Sequence, residues 1–175
     1  MRIELINTGT ELLHGRVLNT HQQWLGQQLA TAGYELTHQQ TVPDTGAAIQ
    51  AAVREAIPRS ELVIVTGGLG PTSDDITRQR IAELLDTPLE EHAETRDRIT
   101  AIFRKIKRPM PEAVLGQAQV PAGAIVLPNH HGTAPGLVMR TPNGWLIMLP
   151  GPPRELRPMY TDSVAPLLTE KLPLE

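Results

Sequence analysis

The stretch LVIVTGGLGPTSDDIT, from Leu62 to Thr77, runs from apolar residues through a glycine-rich turn into a polar segment. Its first part, Leu62–Val65, is apolar and β-branched and predicts a buried strand. A helical pattern follows, and its apolar side is formed by Ile76, Ile81, Leu84 and Leu85. The stretch therefore predicts a strand, a glycine turn and the start of a helix.

The glycine turn has the features of a phosphate site. Gly67, Gly68 and Gly70 allow positive φ angles and the close approach of a ligand to the backbone. The first amides of a helix lack intrahelical partners and suit an anion. Asp74 and Asp75 lie in the same turn. Because carboxylates and phosphates repel each other, a site that holds both would need a divalent cation between them.

A purely structural interpretation of these residues stays open. Thr72 and Asp75 also fit a capping box, in which the acid complements the helix dipole. The glycines match neither a P-loop, since no Lys follows them, nor the GxGxxG dinucleotide motif. The turn by itself does not distinguish a ligand site from a helix cap.

Strand and helix patterns alternate in the first half of the chain. The predicted elements are a strand at Ile3–Ile6, a helix at 19–32, a strand at Tyr34–Val42, a helix around Ile49–Ile57 and the strand at Leu62. This alternation predicts an α/β fold, a mostly parallel sheet with helices on both faces. Right-handed crossovers then place the loops at Gly9, Asp44 and Gly67 at one carboxyl edge, where such sheets bind ligands.

Two acids in these loops have alternative interpretations. Glu11, close to Gly9, either faces a ligand or is an ordinary loop acid. Asp44 either joins the site or serves only as a cap or turn residue. Because both acids lie in loops at the same predicted edge of the sheet, we favour the interpretation that they belong to a ligand site.

The second half is richer in turns. A helix is predicted over 89–107, with a basic side that either contacts phosphates or is solvated. A turn at 120–123 and a short strand at 124–127 follow. A small β-hairpin is predicted for 137–149, around the turn at 142–144. The last helix extends toward Leu168. Before it, Arg154 can meet a phosphate or pair with Glu155. His130 and His131 lack a third ligand spaced for zinc.

Composition narrows the class of protein. The hydrophobic fraction is 40%, the charged fraction 20%, the aromatic fraction 3% and the net charge −3, and there is no cysteine. Few aromatics and no basic excess argue against nucleic-acid binding. No segment resembles a membrane span or a signal peptide. We expect one domain over residues 1–175 and a cytoplasmic location.

Four segments in one order carry a family resemblance: Gly9–Gly15, Thr66–Arg78, Gly132–Gly136 and Leu149–Leu156. Together they resemble the molybdopterin-binding MoaB/Mog family, and within it the amino-terminal domain of CinA competence/damage-inducible proteins. The resemblance covers nearly the whole chain and implies a three-layer α/β/α domain.

The resemblance also implies a function. CinA-type domains are associated with hydrolysis of ADP-ribose to AMP and ribose 5-phosphate, assisted by a divalent metal such as Mg²⁺, Mn²⁺ or Co²⁺. On this basis Asp75 and Asp44 are expected to be catalytic, and Asp75 and Asp74 to hold the metal. The expected phosphate- or nucleotide-binding residues are Gly9, Glu11, Thr66, Gly67, Gly68, Gly70, Thr72, Ser73, Thr133, Gly151 and Arg154.

Two other functions remain open from the same motifs. One is adenylyl transfer to molybdopterin in cofactor biosynthesis, and the other is a non-catalytic pterin- or nucleotide-binding module. The resemblance implies a dimer or trimer, which would also cover the apolar hairpin residues Leu146 and Met148. CinA proteins usually continue into a carboxyl-terminal amidase domain. This sequence stops near the last predicted helix, so we expect no amidase activity of it.

Overall fold

The fold is described for residues 1–174 by a computed structural model. The strands are β1 (Ile3–Thr8), β2 (Leu36–Val42), β3 (Leu62–Thr66), β4 (Leu89–Glu91), β5 (Gln119–Pro121), β6 (Ile125–Leu127), β7 (Gly136–Thr141) and β8 (Gly144–Leu149). The helices are α1 (Thr10–Leu13), α2 (Thr20–Thr31), α3 (Gly46–Ala56), α4 (Thr77–Leu84), α5 (Ala93–Lys105), α6 (Glu112–Leu115), α7 (Pro153–Met159) and α8 (Ala165–Lys171).

Six strands form one sheet in the order β2-β1-β3-β8-β7-β6. The first four are parallel, while β7 runs antiparallel to both β8 and β6. In β3, Val63 pairs with Leu146 and Val65 with Met148 of β8. The predicted mostly parallel sheet is confirmed, and β2 occupies one edge.

Both faces of the sheet are covered, which makes the three predicted layers. Val63 and Val65 of β3 point into a core shared with α3 and α4, where Ile49 and Ile81 are buried. The intervening residues of β3 point into a second core. That core is completed by α2, α7 and α8. This strict alternation follows from the two-residue period of a strand.

The structure corrects two predicted boundaries. Residues 89–91 are not helical, because they pair as β4 with β5. Helix α5 begins only after His92, whose Nδ1 accepts a hydrogen bond from the Thr95 amide at 3.2 Å. Val120 and Pro121, predicted to be part of a turn, belong to β5. Both errors arise because the β4–β5 pairing joins segments far apart in sequence.

The predicted hairpin exists, but it is part of the main sheet. β7 and β8 flank the turn at 142–143, and β8 hydrogen-bonds to β3 on its other side. Leu146 and Met148 are therefore fully buried within a single chain. The expectation that a monomer would leave these two residues less easily covered is wrong.

Helical structure continues from α7 to α8 through a π-helical turn at Tyr160–Val164. Pro158 lies inside α7 and has no amide to donate. The π-helical turn follows directly after it as a local widening of the helix. Helix α7 itself starts at Pro153.

An ion pair between a buried acid and an exposed arginine lies toward the amino end of β1. Glu4 is fully buried and accepts hydrogen bonds from Arg59 Nε at 2.9 Å and Nη2 at 2.7 Å. Burial by itself raises the pKa of the Glu4 carboxyl, but the hydrogen bonds and charge of Arg59 hold it below its ordinary value. The pair fixes β1 to the segment that precedes β3.

Gly144 lies where β8 meets the backbone of the loop before β3. A Cβ there would lie 1.9 Å from the Glu61 carbonyl oxygen. We expect Gly144→Ala to lower the free energy of unfolding by about 1–3 kcal/mol or more, because strand β8 must shift. Gly116→Ala is the control, since its Cβ would meet no atom within 4 Å. Equal stability of the two variants in chemical denaturation would contradict this packing.

The Glu4–Arg59 pair predicts a pH-dependent effect. The folded-state pKa of Glu4 is below its unfolded value, so its contribution is present above the unfolded pKa and is lost as pH falls through the folded pKa. Arg59→Ala should therefore destabilise the protein strongly near neutral pH and less in acid, where Glu4 is protonated in both proteins. Urea denaturation across pH 3 to 7, about the range of carboxyl titration, measures this difference. A penalty independent of pH would rule out the mechanism.

Candidate functional site

A cavity of about 520 Å³ lies at the carboxyl edge of the parallel strands. The loops after β1, β2, β3 and β8 contribute to it, together with residues 133–134 before β7. A volume of this size lies in the range of small-molecule sites. The predicted site residues that line it are Glu11, Asp44, Thr66, Gly67, Gly68, Gly70, Asp74, Asp75, Thr133 and Gly151.

The glycine turn has the backbone that its sequence predicts. Gly67 and Gly68 have φ values of 93° and 69°, which are strained for other residues. A Cβ on Gly68 would also lie 2.0 Å from Thr77 Oγ1. The Thr77 amide, the first of α4, donates to the Gly68 carbonyl at 3.1 Å. This amide is therefore used inside the turn and cannot also bind a phosphate, contrary to the expectation for the first amides.

The capping-box interpretation holds only in part, because the Thr72 amide donates to Asp75 as in a capping box but no helix begins at Thr72. Helix α4 begins at Thr77, after Ile76, which makes no side-chain cap. Asp75 Oδ2 instead accepts from the Thr72 amide at 3.0 Å and lies 2.6 Å from the Thr72 hydroxyl. The same hydroxyl also contacts Asp74 Oδ1, and this contact lowers the pKa of Asp74. Thr72 thus holds the carboxyl groups of Asp74 and Asp75 side by side at the cavity.

Asp44 connects the first two loops. Its Oδ2 accepts from the Thr10 amide at 2.9 Å, and its own amide donates to Thr10 Oγ1 at 3.2 Å. This reciprocal pair fixes the Asp44 carboxylate next to α1, where Glu11 is exposed. The structure therefore brings Glu11 and Asp44 to one cavity with the glycine turn, as the strand order predicted.

The cavity has an unusual charge. Five carboxylates line it, from Glu11, Asp44, Asp74, Asp75 and Glu155. Among the residues described, no Lys or Arg is part of the lining. The carboxylates would repel a phosphate, and a bound cation would offset that repulsion, whereas a neutral or cationic group meets no such repulsion.

Four predicted ligand contacts lie outside this lining. Gly9, Thr72 and Ser73 are neighbours in sequence of lining residues. Arg154 differs, because its side chain is 80% exposed and only 3.9 Å from Glu155 Oε1. Their contacts with a ligand stay predictions.

Several lining residues were not predicted from the sequence, among them His21, Gln117 and Glu155. His21, in the first turn of α2, hydrogen-bonds through Nε2 to the Gly151 carbonyl. Burial lowers the pKa of His21, and since a carbonyl only accepts, Nε2 carries the proton. Gln117 Nε2 reaches the Leu69 carbonyl at 3.4 Å. Glu155 is a buried residue of the lining. Residues that reach the site from distant elements leave no local pattern.

One wall of the cavity is apolar. Leu12, Val17 and Leu18 line it, and Leu18 is 84% exposed. They lie in α1 and in the irregular segment after it. The cavity therefore combines an acidic part with a wall that suits an apolar or aromatic ring.

The basic side of α5 has a structural role at Arg98. Its guanidinium donates to the carbonyls of Asn129 at 2.6 Å, Gly132 at 2.9 Å and Thr133 at 2.9 Å. Arg96 pairs with Glu91 and Asp97 instead, and the other basic residues, Arg104, Lys105, Lys107 and Arg108, are exposed. Arg98 therefore clamps the loop that carries Thr133.

The donor set at the cavity fits a hard divalent cation only in part. Asp74 and Asp75 provide adjacent carboxylate oxygens, the ligand type that Mg²⁺ prefers. Within residues 1–174, however, no three His, Cys, Asp or Glu side chains converge closely enough to hold a metal alone. This agrees with the habit of Mg²⁺ to use one or two carboxylates together with water and substrate phosphates.

Comparison with known sequences identifies the family of this chain. The sequence profile of the family described as "Probable molybdopterin binding domain" matches residues 4–170. The chain belongs to this family. The predicted membership is confirmed, and the relatives place the domain with CinA.

Two curated relatives are each named "CinA-like protein". That of Akkermansia muciniphila is 45% identical over 97% of this chain and 41% of its own length. That of Desulfovibrio desulfuricans is 46% identical over 96% of this chain and 39% of its own length. The domain thus spans about two fifths of the curated relatives that it matches.

Solved structures confirm the fold. CinA from Thermoplasma acidophilum is 30% identical, with a TM-score of 0.85, over 95% of this chain and 97% of that chain. The molybdopterin biosynthesis enzyme MoaB from Thermus thermophilus is 22% identical, with a TM-score of 0.65, over 97% of this chain and 92% of that chain. The similarity to MoaB concerns the fold alone.

Within the described part of the chain, no helix has the length and apolarity to cross a membrane.

The Arg98 clamp is open to a direct test. Arg98→Ala should raise the hydrogen-exchange rates of residues 129–134 and lower the free energy of unfolding by about 1–3 kcal/mol, because three carbonyls lose a charged donor. Arg96→Ala, on the same helix with surface partners, should change stability by less than about 0.5 kcal/mol. Unchanged exchange in the Arg98 variant would show that the loop does not depend on the clamp.

Proposed function

We propose that this CinA-family domain hydrolyses a nucleotide diphosphate, ADP-ribose to AMP and ribose 5-phosphate, with a divalent cation. The observation that carries the proposal is the cavity charge: five carboxylates and, among described residues, no Lys or Arg in the lining. The glycine turn, the apolar wall and the cavity volume support a ligand with a diphosphate and a ring.

The adjacent carboxylates of Asp74 and Asp75 would hold the cation. When bound, the cation would offset the negative charge of the diphosphate and polarise the reacting water. Water would attack one phosphorus atom, the bond from that phosphorus to the bridging oxygen would break, and the bridging oxygen would leave on the other phosphate. The water proton would pass to a nearby carboxylate.

The side chains have separate tasks in this scheme. Asp75, fixed by Thr72, and Asp44, fixed by Thr10, would orient water and accept its proton. The backbone of Gly67, Gly68 and Gly70 would allow the diphosphate close to the turn. Glu11, Thr133, Gly151 and Arg154 remain the proposed outer contacts of the substrate.

Asp75→Asn should lower the turnover of ADP-ribose by about 100-fold or more while the protein stays folded. Asparagine keeps an oxygen for the Thr72 amide but loses the charge for the cation. The measurement is AMP release with Mg²⁺, Mn²⁺ or Co²⁺, and chelation of the cation should abolish it. Asp97→Asn, an exposed acid of α5, is the control. Full turnover in the Asp75 variant would remove this residue from the mechanism.

A second candidate is molybdopterin binding with adenylyl transfer. The family description and the fold shared with MoaB favour it. Incubation with ATP and molybdopterin distinguishes the two, since transfer yields adenylylated pterin and pyrophosphate rather than AMP and ribose 5-phosphate. Stabilisation by either ligand without turnover would instead indicate a binding module. The cytoplasmic location and the dimer or trimer also stay predictions.

A further inference from the structure

Glu155 is a buried acid whose charge the fold leaves largely uncompensated. Its residue exposure is 8%, and it lines the same cavity as the glycine turn. Within residues 1–174, its only ion pair under 4 Å is with Arg154, at 3.9 Å and through an exposed side chain. Glu4, by comparison, is buried against two close guanidinium nitrogens. A buried carboxylate without a close cation is costly, which indicates a role outside the packing of the core.

The surrounding loop is built around this carboxylate. Asn129 Nδ2 donates to Glu155 Oε2 at 2.8 Å and to the Ala134 carbonyl at 2.8 Å. A Cβ on Gly132 would lie 2.3 to 2.8 Å from the carboxyl atoms, so the loop backbone passes directly over them. Asn129 is itself buried, and Arg98 holds the loop carbonyls. Glu155 is therefore held in one position.

The carboxylate keeps acceptor capacity for a ligand. An ionised carboxylate offers about four acceptor sites and no donor. Asn129 occupies one of them at 2.8 Å. A diphosphate has no donor to offer, but the hydroxyl groups of a sugar do. Carboxylates commonly bind the hydroxyls of a ribose in this manner in nucleotide sites.

We propose that Glu155 is a specificity-determining residue that accepts hydrogen bonds from the vicinal hydroxyls of a ribose attached to the diphosphate. The proposal rests on the proposed function, since it assumes a nucleotide diphosphate in the cavity. Asn129 and Arg98 are positioning residues, because they act on the ligand only through Glu155 and its loop.

Binding of non-hydrolysable ligands tests the assignment without turnover. The probes are the α,β-methylene forms of ADP-ribose, ADP and 2′,3′-dideoxy-ADP, titrated calorimetrically in the presence of Mg²⁺. ADP-ribose and ADP differ in the distal ribose, and ADP and dideoxy-ADP differ in the adenosine diol. The parent protein should bind the hydroxyl-bearing member of one pair at least about tenfold more tightly.

Glu155→Gln is nearly isosteric and keeps an oxygen for Asn129. This substitution should weaken binding of the hydroxyl-bearing ligand about tenfold. The affinity for the other ligand of that pair should change by less than about twofold, so that the discrimination between the two disappears. Glu155→Ala should do the same, which guards against a folding defect in one variant. Glu170→Gln, an exposed acid of α8 paired with Lys171, should leave all affinities unchanged.

The outcomes separate the two proposals. Discrimination that persists in both Glu155 variants overturns the assignment of Glu155 and leaves the proposed function intact. Equal weakening of all ligands with a higher Mg²⁺ requirement also overturns it, because Glu155 would then act on the cation. A parent protein that binds none of the three nucleotides overturns both proposals.

Discussion

Parallel pairing along β2-β1-β3-β8 is the constraint on which the rest of the structure depends. Because these strands share one direction, the loops that follow them meet at one edge. Residues from four distant parts of the chain are thereby joined around one cavity. The antiparallel strand β7 adds Thr133 to the same edge, since it starts where β8 ends.

The acids of this protein are held by two kinds of hydrogen-bond donor, one charged and one neutral. Toward the amino end of β1, Glu4 is buried and paired with Arg59. At the carboxyl edge, Asp75 and Glu155 receive hydrogen bonds from the neutral groups of Thr72 and Asn129. Neutral donors fix a carboxylate in place without cancelling its charge. Arg154, at 3.9 Å from Glu155, and the buried Arg78, which attracts Asp75 electrostatically, offset part of this charge. The rest remains available to a cation or a donor-rich ligand.

The loops of the site are supported by residues from the second half of the chain. Helix α5 holds the loop at 129–133 through Arg98, and the segment before β5 reaches the glycine turn through Gln117. Precise placement of site residues depends on such supporting contacts. The second half of the chain therefore both supports the loops of the first half and adds Thr133, Gly151 and Glu155 to the cavity.

The sequence by itself determined the alternation of strands and helices, the glycine turn and the shared edge of Gly9, Asp44 and Gly67, because these follow from local periodicity and from crossover handedness. It did not determine the β4–β5 pairing, the insertion of β8 beside β3, or the places of His21 and Glu155 at the cavity. Only the tertiary structure decided these, since each depends on contacts between residues far apart in sequence, which leave no periodic pattern.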